Sequence, residues 1–152
     1  MLEKSKRDLV RAAARARQNA VAPYSRFKVG AALLARSGEV ITGANVESAS
    51  YGLTCCAERV ALFRALTAGE KDFVAIAVVA AAPGGPMPCG ACRQLLAEYA
   101  AAATVWVADS RKPEVVREFA VKALLPAAFV KVPKNSIEKR RRNLKLRHRK
   151  FR

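Results

Sequence analysis

Four cysteines lie in two close pairs and nowhere else in the chain, Cys55 with Cys56 and Cys89 with Cys92. In a reducing compartment, such cysteines are more often free thiols, metal ligands or nucleophiles than disulfides. The two-residue spacing of Cys89 and Cys92, on the first turn of a predicted helix, turns both sulfurs toward one side. This pair alone is compatible with a redox dithiol, with half of a zinc site, or with coincidence.

The position of Cys56 favours the zinc interpretation, because Cys56 stands at the start of its own predicted helix just as Cys89 does. Helix N-termini favour thiolates through the helix dipole and the free N–H groups. Cys56, Cys89 and Cys92 can therefore present three thiolates to one Zn²⁺. The fourth tetrahedral position stays open, which is typical of catalytic rather than structural zinc.

The alternative is a closed site that uses all four cysteines. Neighbouring residues of a helix point about 100° apart, so Cys55 and Cys56 cannot easily bind one ion together. We expect Cys55 to be a small buried apolar residue or part of a pocket wall rather than a ligand.

Glu58 follows Cys56 by two residues and can reach the open metal position without itself binding the metal. A carboxylate there can take a proton from water and pass it to a substrate. Taken alone, Glu58 is an ordinary first-turn glutamate favoured by the helix dipole. The sequence "PCGAC" about thirty residues downstream favours the catalytic interpretation.

The elements that must position these residues alternate between strand and helix. Residues 3–20 predict an amphipathic helix that ends before Pro23, and residues 56–68 predict a second helix. The runs "FKVGAALLA" and "EVITGANV" predict a hairpin, and "FVAIAVVA" predicts a central strand buried on both faces. "CGACRQLLAEYA" predicts a helix, "ATVWVAD" a strand, and "FAVKALLPAAFV" an element of uncertain type. The pattern indicates one α/β layered domain.

Positive charge is concentrated at the end of the chain. Of the formal net charge of +16, residues 131–152 carry +10, from eleven Lys and Arg against one acid, which leaves +6 for the rest. We expect a domain over residues 1–132 and a basic tail over 133–152 that is disordered or ordered only by a partner. The absence of a signal-like or membrane-length apolar run favours a cytoplasmic protein.

The blocks of this sequence resemble a known family. "CAE" followed by "PCGAC" is the pattern of zinc-dependent deaminases. With "YSRFKVGAALL", "GANVESASY" and "LLPAAF" in the same order, residues 5–130 resemble the small homotetrameric cytidine deaminases of the three-cysteine class. The resemblance implies a three-layer α/β/α fold with a mixed central sheet, one Zn²⁺ per subunit, and a homotetramer whose subunits complete one another's pockets.

The resemblance also implies an activity, hydrolysis of cytidine and deoxycytidine to uridine and deoxyuridine with release of ammonia, in pyrimidine salvage. The resemblance further implies a role for each residue of this chain that stands in a matching position. Phe27 packs against the pyrimidine ring, Asn45 and Glu47 bind the ribose hydroxyls, and Ala57 belongs to the substrate-binding set. Glu58 protonates N3 of the base and later the leaving amine.

Three thiolates and one Zn²⁺ carry a net charge of −1, which weakens the pull of the metal on water. Arg59 is the candidate for a neighbouring charge that offsets this, by directing its guanidinium at the thiolate sulfurs. The alternative is a solvent-facing helix arginine. Arg93, next to Cys92, is a second candidate.

Other functions use the same features differently. A deaminase acting on cytosine in RNA or DNA would use the tail to contact phosphates, and a deaminase of a cytosine-containing antibiotic would share the three-cysteine site. "NVE" at residues 45–47 favours the plain nucleoside. A noncatalytic zinc-binding module that contacts nucleic acid is the remaining alternative, and it assigns no role to Glu58.

Overall fold

The structure, a computed structural model, describes residues 2–132, and the tail predicted over residues 133–152 lies outside the described residues. Within the described range, no helix combines the length and apolar character needed to cross a membrane. The elements are α1 (Leu2–Ala16), β1 (Val29–Ala35), β2 (Val40–Ala44), α2 (Ala57–Thr67), β3 (Phe73–Ala80), α3 (Gly90–Tyr99), β4 (Thr104–Asp109), β5 (Lys112–Ala120) and α4 (Val121–Leu124), with short 3-10 turns at Arg17–Asn19 and Tyr51–Leu53.

The strands form one five-stranded sheet in the order β2-β1-β3-β4-β5. β1 pairs antiparallel with both β2 and β3, and β4 pairs antiparallel with β5. β3 and β4 are parallel, with α3 as the connection between them. The sheet is therefore mixed, which confirms the predicted fold class.

Helices cover both faces of the sheet. On one face, Leu9 and Val10 of α1 pack against Ala77, Val79 and Trp106 of the sheet. On the other face, Leu62 of α2 and Leu96 of α3 pack against Leu33, Ile76 and Val105. Burying each such leucine contributes roughly 1.5–3 kcal/mol. The predicted three-layer arrangement is confirmed, with both cysteine-bearing helix starts on the same side of the sheet.

A glycine allows α2 to lie directly on the sheet. A Cβ at Gly43 of β2 would lie 2.5 Å from the Ala61 nitrogen and 2.6 Å from the Ala57 oxygen, both backbone atoms of α2. No larger residue fits there unless the helix moves. Because Ala57 directly follows Cys56, this contact also sets the position of the helix start that carries the first cysteine.

Three details differ from the sequence prediction. Residues 112–120 form a strand that was not predicted, because β5 is an edge strand that is exposed along most of its length and carries charged residues among its apolar ones. The first helix ends at Ala16 and continues only as a 3-10 turn to Asn19. The uncertain segment at 119–130 divides into the end of β5, the single turn α4 and an irregular stretch.

Candidate metal centre and active site

The starts of α2 and α3 bring three cysteines together. Cys56 is the N-cap residue of α2 and Cys89 is the N-cap residue of α3, and Cys92 lies one turn into α3. The sulfur of Cys89 is 3.8 Å from that of Cys56 and 3.6 Å from that of Cys92, and all three sulfurs lie within 4.8 Å of one another.

The spacing of these sulfurs fits a zinc ion. Zn²⁺ binds thiolates at about 2.3 Å in tetrahedral geometry, which places two ligand sulfurs about 3.8 Å apart. The two closest sulfur pairs, at 3.8 and 3.6 Å, match this separation. Among residues 2–132, the cluster offers three cysteine sulfurs and no fourth ligand, which is the donor set of a zinc site with an open position. The residues present therefore fit one Zn²⁺.

The pKa values of Cys56 and Cys92 are shifted in opposite directions. The pKa of Cys56 is lowered to about 5, first because the thiol of Cys92 donates a hydrogen bond to it and further through Cys89 and Arg59. The pKa of Cys92 is raised well above its ordinary value, because its proton is held by Cys56 and because the side chain is buried. The metal-free cluster therefore holds a thiolate at Cys56 and a proton at Cys92 near neutral pH.

Cys55 lies outside this group of three sulfurs. Its backbone forms an antiparallel bridge with Val46, in which each residue donates its N–H to the carbonyl of the other. Its side chain is half-buried, and that burial raises the pKa of its thiol. The bridge ties the segment before α2 to the end of the β1–β2 hairpin, so the adjacent cysteines have separate surroundings.

Glu58 is a buried carboxyl group at the start of α2, with only 5% of the residue exposed. Burial is the main cause that raises its pKa to about 7, and the charge of Cys56 adds to the effect. A buried carboxyl with a pKa near neutrality can both accept and donate a proton at physiological pH. This is the property that general acid–base chemistry requires.

Arg59 points toward the cluster of cysteine sulfurs rather than into solvent. Its Nη2 donates to the carbonyl of Thr54 at 2.6 Å and lies 4.0 Å from Sγ of Cys56. Its Nε is buried without a hydrogen-bond partner. Arg93, the second candidate, donates from Nε to the carbonyl of Pro88 and from Nη1 to that of Leu124, so it braces the start of α3 against α4.

A cavity of about 280 Å³ opens beside the cluster. It brings together the residues that the sequence pattern selected for chemistry and for substrate binding, together with further wall residues. Its lining comprises Ser25, Phe27, Val29, Asn45, Glu47, Thr54, Cys56, Ala57, Glu58, Val78, Pro86, Met87 and Cys89. A volume near 300 Å³ with apolar walls and a few polar groups is typical of a small-molecule site.

One wall of the cavity is the loop before β1, and Asn45 holds it in place. The side chain of Asn45 donates from Nδ2 to the carbonyl of Phe27 at 2.9 Å, and its Oδ1 accepts from the N–H of Val29 at 2.8 Å. Asn45 is itself buried. The sequence indicates Asn45 as a binding residue or a strand-end turn residue, and the structure adds that it holds the backbone of Phe27 and Val29.

Ser25 is a site residue that sequence reasoning missed. It lines the cavity, and its hydroxyl donates to Oε1 of Glu47. Serine is common in loops, so its type carried no signal, and Glu47 lies twenty-two residues away in the sequence. Only the pairing of the two loops in the fold shows this contact.

Known proteins similar to this chain share both the sequence blocks and the fold. The profile of the family described as "Cytidine and deoxycytidylate deaminase zinc-binding region" matches residues 3–108. The cytidine deaminase of Halalkalibacterium halodurans is 53% identical over 121 residues, which cover 80% of this chain and 91% of that protein. The cytidine deaminase of Sporosarcina psychrophila is 44% identical over 123 residues, or 81% and 90% of the two chains.

A solved structure is similar to this chain in both fold and sequence. The crystal structure of cytidine deaminase from Burkholderia pseudomallei aligns with a TM-score of 0.77 and 50% sequence identity, covering 80% of this chain and 97% of that chain. The family match over residues 3–108 includes both helix starts that carry the three clustered sulfurs.

Proposed function

The chain belongs to the zinc-dependent cytidine and deoxycytidylate deaminase family, and from this premise we propose that it hydrolyses cytidine and deoxycytidine to uridine and deoxyuridine with release of ammonia. One observation carries the proposal, namely that two cysteines of the three-sulfur cluster, Cys56 and Cys89, line the same cavity as the buried carboxyl of Glu58. Pyrimidine salvage in the cytoplasm suits this chemistry, because a reducing compartment keeps the cluster cysteines as thiols.

In the proposed reaction, Cys56, Cys89 and Cys92 hold the zinc ion. Bound zinc supplies Lewis acidity that activates water for attack on C4 of the base. Glu58 takes a proton from that water and delivers it to N3. It then transfers the second proton of the water, from the oxygen now bound to C4, to the amino group, which leaves as ammonia while the C4 oxygen becomes a carbonyl. Its pKa of about 7 in the metal-free protein suits a group that must both accept and donate.

Substrate binding is proposed for the opposite wall of the cavity. Phe27 presents an aromatic ring for contact with the pyrimidine, and Ala57, fully buried at the start of α2, keeps that part of the cavity small. Asn45 and Glu47 supply an amide and a carboxylate for the sugar hydroxyls. A substrate that lacks these hydroxyls leaves such polar groups without partners, and this disfavours its binding.

We propose that Arg59 offsets the negative charge of the metal–thiolate group. Its Nη2 lies 4.0 Å from Sγ of Cys56, and its buried Nε has no hydrogen-bond partner. A guanidinium so placed withdraws charge from the sulfurs and keeps the metal an effective Lewis acid. Arg93 is not assigned this role, because its hydrogen bonds go to backbone carbonyls.

A homotetramer is proposed for the active assembly. Several large apolar side chains are strongly exposed in the single chain, among them Tyr51 at 78%, Leu53 at 75% and Phe129 at 64%. Exposed apolar surface of this kind is characteristic of interaction sites. Sedimentation velocity of the purified protein tests the proposal: a tetramer is expected, and a stable, fully active monomer would contradict it.

The basic tail, residues 133–152, is proposed to contact nucleic acid nonspecifically. Its support is the charge of the sequence alone, since these residues include ten Lys and Arg against one acid, a net charge of +9. Dense Lys and Arg attract phosphates regardless of base sequence. The tail is proposed as an addition to the nucleoside activity and takes no part in it.

A substrate panel tests the proposed function. The zinc-loaded protein is incubated with cytidine, deoxycytidine, cytosine, CMP and a cytosine-containing RNA, and uracil products are quantified. Turnover of cytidine and deoxycytidine well above the other three is expected. Preferential turnover of the RNA would instead assign the protein to polynucleotide deamination. Zinc binding without turnover of any substrate would support a noncatalytic zinc module. A cytosine-containing nucleoside antibiotic is added as a sixth substrate to test the remaining alternative.

A further inference from the structure

Two segments that are far apart in sequence run side by side at the sugar end of the cavity. Val21 donates its N–H to the carbonyl of Asn45 at 2.9 Å, and Glu47 donates its N–H to the carbonyl of Val21 at 2.8 Å. The loop before β1 is thereby laid along the segment that follows β2. The side chain of Glu47 extends from this pairing toward the loop residues that follow Val21.

Both carboxylate oxygens of Glu47 are occupied by that loop. Oε2 accepts from the backbone N–H of Tyr24 at 2.9 Å and from that of Ser25 at 3.1 Å. Oε1 accepts from the hydroxyl of Ser25. None of the ion pairs among the described residues involves Glu47. Its orientation therefore depends on these hydrogen bonds rather than on a neighbouring cation.

The hydroxyl of Ser25 makes a second bond that connects Glu47 with the aromatic ring of the cavity. Its Oγ accepts from the backbone N–H of Phe27 at 2.9 Å. The intervening Arg26 has a positive φ of 58°, a conformation that is uncommon for residues other than glycine. This turn at Arg26 allows the serine hydroxyl to bridge from Phe27 to Glu47.

We propose that Ser25 is a positioning residue for sugar selectivity, which aims the carboxylate of Glu47 at the hydroxyls of the nucleoside. This inference rests on the proposed function. A carboxylate has about four acceptor sites. The loop donors fill two of them on Oε2 and one on Oε1, so Oε1 can still accept from a sugar hydroxyl. The serine hydroxyl donates to Oε1, the oxygen with the remaining acceptor position, and both Ser25 and Glu47 line the cavity. Fixing the carboxylate before the substrate arrives reduces the ordering cost of binding.

The acidity of Glu47 is consistent with this arrangement. Its pKa is lowered from the ordinary value, and the hydrogen bond from Ser25 is the largest cause. The carboxylate therefore stays ionised and acceptor-only at neutral pH, as recognition of a hydroxyl donor requires.

The chain contains a matched control for Ser25. Ser37, in the turn between β1 and β2, donates from Oγ to Oε1 of Glu70 at 2.8 Å, and its Oγ accepts from the N–H two residues later, on Glu39. This is the same pattern of bonds as at Ser25, but it lies outside the cavity lining. Ser37→Ala removes an equivalent serine–glutamate bond without touching the site.

The first test compares Ser25→Ala with Ser37→Ala on two substrates. One is cytidine, and the other is 2′,3′-dideoxycytidine, which lacks the 2′ and 3′ hydroxyls and is followed as turnover or as competitive inhibition. Losing a hydrogen bond to a charged group predicts a fall of about tenfold in kcat/KM for cytidine, carried mainly by KM. The dideoxy analogue should change about twofold or less in Ser25→Ala, and Ser37→Ala should leave both substrates unchanged. Equal losses on both substrates would overturn the inference.

The second test asks whether Ser25 acts through Glu47. In a double-mutant cycle, Ser25→Ala should cost little in a Glu47→Ala background, whereas additive losses would show that the serine acts independently. Ser25→Thr keeps the hydroxyl and should recover most of the cytidine affinity. Loss of affinity in Ser25→Thr equal to that in Ser25→Ala would count against a role for the hydroxyl.

The third test does not require turnover, so it separates this inference from the proposed function. The pKa of Glu47, followed by ¹³C NMR, should rise toward its ordinary value in Ser25→Ala and not in Ser37→Ala. A wild-type protein that leaves cytidine unchanged would defeat the proposed function. The positioning of Glu47 would then be judged by this titration, and an unshifted pKa in Ser25→Ala would overturn the inference.

Discussion

Nη2 of Arg59 lies 4.0 Å from Sγ of Cys56 while donating to the carbonyl of Thr54 at 2.6 Å. The hydrogen bond to Thr54 fixes the guanidinium, and its Nε is buried without a partner. A charged group held in this way cannot turn to solvent when the thiolates of the cluster bind a metal. Its position is the structural basis for expecting an all-thiolate zinc site to remain a useful Lewis acid.

Replacing Arg59→Gln should lower kcat by roughly 10- to 100-fold, the usual effect of removing a group that tunes a metal site. The physical reason is that the uncompensated thiolates reduce the pull of zinc on water. Steady-state kinetics with cytidine measure the loss, and zinc content is determined in parallel. Arg64→Gln is the matched control, because Arg64 is also on α2 and also donates to a backbone carbonyl, that of Thr42. An unchanged kcat in Arg59→Gln would contradict the proposed role.

Zinc affinity should depend steeply on pH. Near neutral pH, Cys56 is already a thiolate, with a pKa of about 5, whereas Cys92 has a raised pKa and must lose its proton to bind metal. Because protons compete with the metal, affinity should fall as pH falls, by about tenfold per unit for each proton displaced. Calorimetry in buffers of different ionisation enthalpy counts those protons. Zinc binding between pH 6 and 8 without proton release would show that Cys92 is not a ligand.

The adjacent cysteines should respond differently to the same substitution. Cys56→Ser should lose both zinc and cytidine turnover, because a hydroxyl does not replace a thiolate ligand at this site. Cys55→Ser should retain both, since Cys55 lies outside the sulfur cluster and its backbone bridge to Val46 does not depend on its side chain. Metal analysis and activity assays on the two variants give the comparison. Loss of zinc in Cys55→Ser would reassign the ligand set.

A chain ending at Val132 should keep its nucleoside turnover and lose salt-sensitive binding to RNA. The removed residues 133–152 contain ten Lys and Arg and one acid, a net charge of +9, so truncation eliminates most of the positive charge that attracts phosphates. Filter binding at several salt concentrations, with cytidine turnover measured on the same preparation, tests both halves. Loss of cytidine turnover on truncation would show that the tail belongs to the active assembly.

Local sequence patterns predicted most of the fold that holds the site. The helix predicted over residues 56–68 is present as Ala57–Thr67, and "FVAIAVVA" forms the buried strand Phe73–Ala80. These elements have strong periodicity or continuous apolar character. The edge strand Lys112–Ala120 was missed because an exposed edge has no buried face to impose a pattern on its residues.

The group of three cysteines is predictable from sequence for a different reason. Cysteines at helix starts carry a chemical signature in their type and spacing, so residue type and position alone are enough to group Cys56, Cys89 and Cys92. The direction of a charged side chain has no such signature, and the sequence left Arg59 open between solvent and the sulfurs. The bond between Ser25 and Glu47 depends on how two loops pair in the fold, which local sequence does not encode.

Glu58→Gln tests the central claim most directly, because it keeps the size of the buried side chain but removes its ability to take a proton. Zinc content should be unchanged, since Glu58 is not a ligand in the proposed site. Uridine formation from cytidine by the zinc-loaded protein should fall by roughly 10²- to 10⁴-fold, the usual contribution of general acid–base catalysis. An unchanged rate of uridine formation in a fully zinc-loaded Glu58→Gln protein would contradict the deaminase mechanism.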